Sequence, residues 1–281
     1  MSEPAPVPEG VARTSLGVAR VRSLESRRPD RLFDDPFAQA FVDAAPGQAP
    51  DVSGVDDDAA RLIRWVAFFT VIRTRFYDDY LHAAVTDTPA RQVVLVAAGL
   101  DTRAYRLDWP PGVRLFELDL PPVLAFKQQV LDARGAVPRC ERTPVGADLT
   151  QDWPAALVAA GFRTDRPTAW LVEGLLIYLD AAQAALLLER AGSLSAPGSR
   201  LSCELQVPRD SRLSDAPRPE RPAVPGYTDL WKGGLGARLP AHLEATGWQV
   251  RVSDRAEVAA GYGRPGPPSG GAGFVVAERL P

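Results

Sequence analysis

Cysteine is almost missing from this chain of 281 residues, which holds only Cys140 and Cys203. Two such residues exclude a disulfide framework, and neither has a neighbour at metal-ligand spacing. Reduced, buried thiols are the expectation, with a single Cys140–Cys203 bridge as the alternative. His82 and His242 also lack Cys or acidic partners at ligand spacing, so no metal site is expected. A long apolar run is absent too, which excludes a bilayer-spanning helix. Met1–Gly10 is rich in Pro and Glu with no apolar centre, so it reads as a disordered start rather than a signal peptide or anchor. Together these absences predict a cytoplasmic protein. Neither sign of charge dominates: 32 Lys and Arg against 35 Asp and Glu leave a net charge of −3. That balance gives no general electrostatic reason to bind nucleic acid or an anionic membrane. No G-x-S-x-G elbow, no G-x-x-x-x-G-K-[ST] loop and no basic–aromatic pattern of an RNA-binding sheet occurs, so serine hydrolases, P-loop enzymes and that class of RNA binder are disfavoured.

What remains is ordinary for a soluble globular domain, with 46% hydrophobic and 24% charged residues. Apolar residues recur at helical spacing from Thr14 to about Phe41, where Asp34-Asp35-Pro36 makes a helix start with Asp35 as cap. A Pro/Gly/Asp-rich loop over 44–58 precedes one longer helix, Arg61 to Ala84. From there strands and helices alternate. Strands are expected at Gln92 onward, Arg114–Leu118, Arg142–Gly146 (weak), Thr168–Glu173 and Arg200–Gln206. Helices are expected at Pro122–Arg134, Ala155–Ala160 and Ala181–Ser193. Residues 207–240 break the rhythm with many Pro, Arg, Asp and Gly and read as a lid insertion. A short helix, Leu239–Thr246, leads to two last strands, Trp248–Ser253 and Phe274–Glu278, joined by a Gly/Pro-rich loop. This alternation predicts an α/β fold with helices on both faces of a mostly parallel sheet.

The chain is organised around Gln92-Val-Val-Leu-Val-Ala-Ala-Gly-Leu-Asp-Thr-Arg103. A β-branched apolar run reads as a strand buried on both faces, and Ala97, Ala98 and Gly99 at its end let a ligand approach the backbone. Asp119 closes the next strand about 20 residues on, the spacing at which a carboxylate accepts from ribose hydroxyls. Asp148-Leu149 ends the third strand and Glu173 the fourth, so successive strand ends carry small or acidic residues on one rim. This reads as an adenosine-binding crevice: Asp119 for the ribose, Asp148 for the adenine amino group, Leu149 against the ring. Each residue also has a plainer reading. Asp148 is otherwise a loop cap, and Glu173 a structural ion pair with an arginine. Tyr178 is a pocket donor or a residue at a layer edge. Arg73 is a carboxylate clamp, or one of an exposed charged set with Arg75, Asp78 and Asp79. The same crevice would serve an NAD-type oxidoreductase, disfavoured because G-x-G-x-x-G is missing, or a non-catalytic adenosyl-binding protein.

These residues resemble the class I S-adenosylmethionine-dependent methyltransferases of the leucine carboxyl methyltransferase-like group, in its actinobacterial branch. The resemblance is carried by Asp30-Arg-Leu-Phe-Asp-Asp-Pro36, Arg73-Thr-Arg-Phe-Tyr-Asp-Asp79, Ala98-Gly-Leu-Asp-Thr-Arg-Ala-Tyr-Arg106, Glu117-Leu-Asp-Leu-Pro121, Asp148-Leu149 and Glu173-Gly-Leu-Leu-Ile-Tyr178. It implies a Rossmann-like sheet of seven strands with a reversed last strand, a single domain over 11–281, a helical cap over 11–85 and a lid over 207–240. By matching positions it implies that Gly99, Asp119, Asp148, Leu149 and Glu173 contact the cofactor, with Ala98 and Leu120 beside them and Arg73 on its carboxylate. Tyr178 and Glu173 are the candidate catalytic residues. Where the group usually has glycine, this chain has Ala97. The acceptor implied is a small-molecule carboxylate or hydroxyl in secondary metabolism, with a peptide or protein C-terminal carboxylate as the alternative.

Overall fold

A computed structural model describes residues 14–47, 57–206 and 230–281. The expected disordered start and residues 207–229 of the expected lid lie outside the described residues. Seven strands form one sheet: β1 (Gln92–Val96), β2 (Arg114–Asp119), β3 (Glu141–Gly146), β4 (Thr168–Val172), β5 (Arg200–Leu205), β6 (Trp248–Asp254) and β7 (Gly273–Arg279). Their order is β3-β2-β1-β4-β5-β7-β6. The pairs β1–β2, β1–β4, β2–β3 and β4–β5 are parallel, while β7 runs antiparallel to both β5 and β6. The seven-stranded sheet with a reversed last strand is therefore as expected.

The two-residue period of the strands sorts side chains into two cores. Val93 and Leu95 of β1, Leu115 of β2 and Leu171 of β4 enter the first. They meet α1 (Thr14–Ser26), α2 (Ala38–Ala44), α3 (Asp57–Thr86), α5 (Pro121–Ala133) and α9 (Arg255–Gly261) through residues such as Leu16, Phe41, Leu81, Leu131 and Ala259. Val94 and Val96, Phe116 and Leu118, Trp170 and Val172 enter the second. There α6 (Trp153–Ala159), α7 (Ala181–Ser193) and α8 (Leu239–Ala245) supply Trp153, Leu188 and Leu243. All five residues of β1, and all five of β4, are buried, which explains their continuous apolar runs. The edge strand β3 buries only one of its six residues, so its sequence signal is weak.

Three local expectations need correction. The link between the last two strands is not only a loop, because Arg255–Gly261 forms α9. Asp254 starts it by accepting from Ala256 N and Glu257 N, and only the stretch after it is rich in Gly and Pro. Asp35 does cap, but α2 begins at Ala38, and Asp35 Oδ1 accepts from Phe37 N and Ala38 N. The charges on α3 are not one exposed face. Asp78 is buried and bonded to both Arg103 and Arg106, and only Arg75–Asp79 is a solvent-side pair. Both cysteines are free thiols, Cys203 buried and Cys140 partly so.

Candidate active site

The register brings the strand ends to one rim. Val96 pairs with Leu118 and with Val172, Asp119 with Gly146, and Val172 with Cys203. Residues 97–99, Asp119, Asp148, Glu173 and Glu204 therefore follow or close neighbouring strands on the same carboxyl edge, where open α/β sheets bind ligands. At its centre the backbone turns through left-handed angles, φ 54° at Ala97 and 48° at Gly99. Asp119 fastens that turn: its Oδ2 accepts from Gly99 N at 2.6 Å and its Oδ1 from Leu120 N at 2.7 Å. Burial pushes the Asp119 carboxyl upward, opposed by those two backbone hydrogen bonds.

Helices α1 and α2 are tied to one side of the rim. Arg22 of α1 donates from Nη2 to Leu100 O at 2.6 Å and pairs through Nε with Asp35 at 3.0 Å. Thr102 Oγ1 donates to the same Asp35 oxygen at 2.8 Å, tying the β1–α4 turn, with α4 at Arg103–Arg106, to the start of α2. A Cβ placed on Gly99 would meet Ser15 of α1 at 3.4 Å, an ordinary contact. The glycine is thus required by its backbone angle more than by lack of space.

A buried ion network holds the rim from below. Arg103, 2% exposed, donates to Asp78 Oδ1 and Glu173 Oε2 at 2.7 Å each, to Thr74 O at 3.3 Å, and to Asp101. Burial works against ionised Asp101, but Arg103, with Lys127, Arg22 and Arg106, outweighs it and holds this carboxyl at about 2. On α3, Arg73 donates from Nε to Glu173 Oε1 at 2.9 Å and pairs through Nη1 with Glu204 Oε1 at 3.2 Å. Each Glu173 oxygen therefore meets a guanidinium, the arrangement of a structural ion pair. Glu204 was not singled out from the sequence. It is 7% exposed and accepts from Gly174 N through both oxygens, at 2.9 and 3.0 Å. Its signal was a lone carboxylate at the end of an apolar strand, the same that marked Glu173.

The remaining candidates lie farther along the rim. Asp148 is exposed, and its Oδ1 accepts from Thr150 N at 2.8 Å and Thr150 Oγ1 at 2.7 Å. These bonds hold its carboxyl below the usual range. Leu149 is half-buried against the second core, Ala98 is buried, and Leu120 is 43% exposed at the start of α5. Tyr178 sits in a 3-10 turn, Leu176–Tyr178. Lys232 N and Gly233 N donate to Ile177 O, and Gly234 N to Leu179 O, so residues 232–234 pack against this turn. Between α3, this turn and the ends of β5 and β7 lies a cavity of about 110 Å³, with Tyr178, Arg73 and Glu204 among its lining. Glu173 is not among the described residues that line it.

An adenosyl cofactor fits this donor set. Asp119 keeps acceptor capacity on both oxygens beyond its two backbone bonds, which suits a ribose diol. The left-handed turn without a side chain at Gly99 leaves the backbone open beside it.

A sheet of this order, with an acidic second strand end, is a Rossmann-like fold whose rim suits an adenosyl cofactor. The comparisons carry that fold to a family. The leucine carboxyl methyltransferase family matches residues 15–192, and the chain belongs to it. An inferred S-adenosyl-L-methionine-dependent methyltransferase of Frankia alni is 52% identical over 279 residues, covering 99% of this chain and 98% of that protein. One of Streptomyces coelicolor, inferred likewise, is 48% identical over 261 residues, covering 92% and 90%. Among solved structures, an inferred methyltransferase of Thermobifida fusca shares the fold, with a TM-score of 0.58 at 15% identity over 98% of this chain and 96% of that one. The enzyme uses S-adenosylmethionine, and the oxidoreductase and non-catalytic readings fall away. Among the described residues no helix is long and apolar enough to cross a membrane.

Proposed function

We propose that this methyltransferase transfers the methyl group to an oxygen of a small molecule, a carboxylate or hydroxyl, in secondary metabolism. The observation that carries the cofactor half of this reading is the Asp119 carboxylate bonded to Gly99 N at the head of the rim. In it, Asp119 takes the ribose hydroxyls, Asp148 the adenine amino group, and Leu120 and Leu149 the apolar faces of the base. Ala98 and Gly99 lie along the backbone beside the methionine part. Arg73 serves the cofactor carboxylate while bonded to Glu173, and Arg103 fixes Glu173 in turn.

The bound cofactor supplies a methyl group already activated on a sulfonium. The protein's task is then mainly to align an acceptor oxygen and exclude water. Residues 11–85 act as the cap in this reading and 207–240 as the lid, together enclosing the acceptor. A carboxylate acceptor needs no base, whereas a hydroxyl gains from one, with Tyr178 and Glu173 as candidates. The partner is a small molecule, with no role for nucleic acid or membrane, and the site is cytoplasmic.

The test is calorimetry with S-adenosylhomocysteine on the full chain and on Asp119→Ala. Loss of the ribose acceptor is expected to weaken binding by about 1–3 kcal/mol, the scale for leaving buried hydroxyls unsatisfied. Equal affinity in the two proteins removes Asp119 from the site.

A further inference from the structure

The cavity beside the rim has aromatic walls. Trp65 and Phe69 of α3 meet edge to face, with centroids 4.7 Å apart, and Phe274 of β7 is stacked on Phe76 at 4.3 Å. Trp65, Phe69 and Phe274 line the cavity together with Trp231. Such rings are held by their neighbours, so the walls form a preset slot rather than an adaptable surface. A volume of about 110 Å³ is near the size at which one aromatic ring is held, for which a cavity of about 150 Å³ that binds benzene is a reference.

Glu204 opens into this slot from the end of β5. A carboxylate offers about four lone-pair directions, and this one meets Gly174 N and Arg73 Nη1. Glu173 differs, since guanidinium groups take both of its oxygens. One guanidinium, Arg73, is shared by two carboxylates and in the reading above also serves the cofactor carboxylate, so a further anion brought beside Glu204 as acceptor would be repelled. A neutral O–H would instead donate to Glu204. Among the described residues the charged and titratable groups around Glu204 are Arg73 and Tyr77 of α3, Glu173 after β4 and Cys203 of β5, with Tyr178 and Arg255 also on the cavity wall. Arg255 lies over the Phe69 ring at 3.7 Å and the Trp65 ring at 4.7 Å. Burial raises the Glu204 carboxyl against the opposing pull of Arg73, which moves it toward the range of a useful base.

We propose that Glu204 is the catalytic residue that receives the acceptor's proton, and that the acceptor is a hydroxyl on a single aromatic ring. This rests on the methyl-transfer reading above and narrows its acceptor from carboxylate or hydroxyl to aromatic hydroxyl. The step balances. The acceptor oxygen forms the new C–O bond, the C–S bond breaks with its electron pair left on sulfur, and the hydroxyl proton passes to a Glu204 oxygen.

The experiment uses three probes built on one six-membered ring with a 4-ethyl group: 4-ethylphenol, 4-ethylcyclohexanol and 4-ethylbenzoate. Each is titrated into the full-length protein loaded with S-adenosylhomocysteine, reading tryptophan fluorescence, and each is offered as acceptor with radiolabelled S-adenosylmethionine. The phenol is expected to bind at least tenfold more tightly than the other two and to be the one methylated. Glu204→Gln is expected to keep affinity for S-adenosylhomocysteine within about twofold. Its kcat on the phenol should fall by about 10²-fold or more at pH 7, the scale of a lost general base. That deficit should shrink as the pH approaches the phenol's own pKa, and Glu204→Asp should recover part of the rate. Benzoate preferred over phenol, cyclohexanol equal to phenol, or no binding of any probe to the loaded protein overturns the proposal. So does an unchanged rate in Glu204→Gln. The wild-type preference stands as a test even if that variant folds poorly. Failure of the wild-type protein to bind S-adenosylhomocysteine at all is a different result, and it removes the methyl-transfer reading together with this one.

Discussion

The charged cluster beneath Asp119 makes a sharp prediction about stability. Glu117 lies two residues before Asp119 on β2 and is fully buried, as is Lys127 of α5. Lys127 Nζ lies 2.8 Å from Glu117 Oε2, in ion-pair contact but off hydrogen-bond direction. Arg142 Nη2, its side chain 5% exposed, donates to the same oxygen at 2.8 Å. Two cations thus depend on one carboxylate in a dry site. Glu117→Gln leaves both without their counter-charge, and breaking a buried pair in this way costs about 3–5 kcal/mol. Lys127→Met is a different perturbation, because the Arg142–Glu117 bond survives and an apolar chain of similar length fills the space. Its cost should be about 1 kcal/mol or less, helped by the removal of an ammonium whose pKa burial already lowers. Equilibrium urea unfolding of the two variants and of the double variant checks this. In a thermal scan Glu117→Gln should also melt roughly 5–9 °C below wild type, by the usual scaling of unfolding entropy with chain length. The double variant should be less damaged than Glu117→Gln alone, since it strands one cation rather than two. If Lys127→Met costs as much as Glu117→Gln, the cluster is not organised around the carboxylate and the reasoning fails.

Two further outcomes follow from the rim. Ala97→Gly should change stability by between zero and about +1 kcal/mol, because relief of the left-handed backbone, worth about 1–2 kcal/mol, is offset by glycine's extra freedom when unfolded. Gly99→Ala, in the same region at φ 48°, should instead lose about 1 kcal/mol, and denaturation midpoints that rank the two variants the other way would contradict it. The held-down Asp101 carboxyl, at about 2 against an ordinary 3.8, contributes stability that is fully present above about pH 4 and is lost as the pH falls toward 2. The gap between wild type and Asp101→Asn should therefore be of order 2 kcal/mol near neutrality and close through that window. Asp119 and Glu204, both raised by burial, act in the opposite sense, so the variant is compared with wild type at each pH.

The parts of this site that were legible in the sequence are those set by a single strand and its end. Val93 to Val96 is apolar because both faces of β1 are covered, and Asp119 falls where β2 stops, so composition and spacing sufficed for the sheet and for its carboxyl rim. What stayed hidden was the choice of partner. Arg73 and Glu173 are 100 positions apart, and nothing local says that they meet, nor that Arg103 takes the other Glu173 oxygen. By residue type Glu173 and Glu204 are equivalent, each a carboxylate at the end of a buried strand. Two guanidinium groups face the first, whereas the second shares one and faces the aromatic slot. The same limit explains Asp78, which reads as half of an exposed charge run until Arg103 and Arg106 are seen folded back onto it. Local chemistry therefore marks where charge gathers in this fold. Which of those charges is taken up by ion pairs and which is left facing a cavity is decided by arginines arriving from elsewhere in the chain.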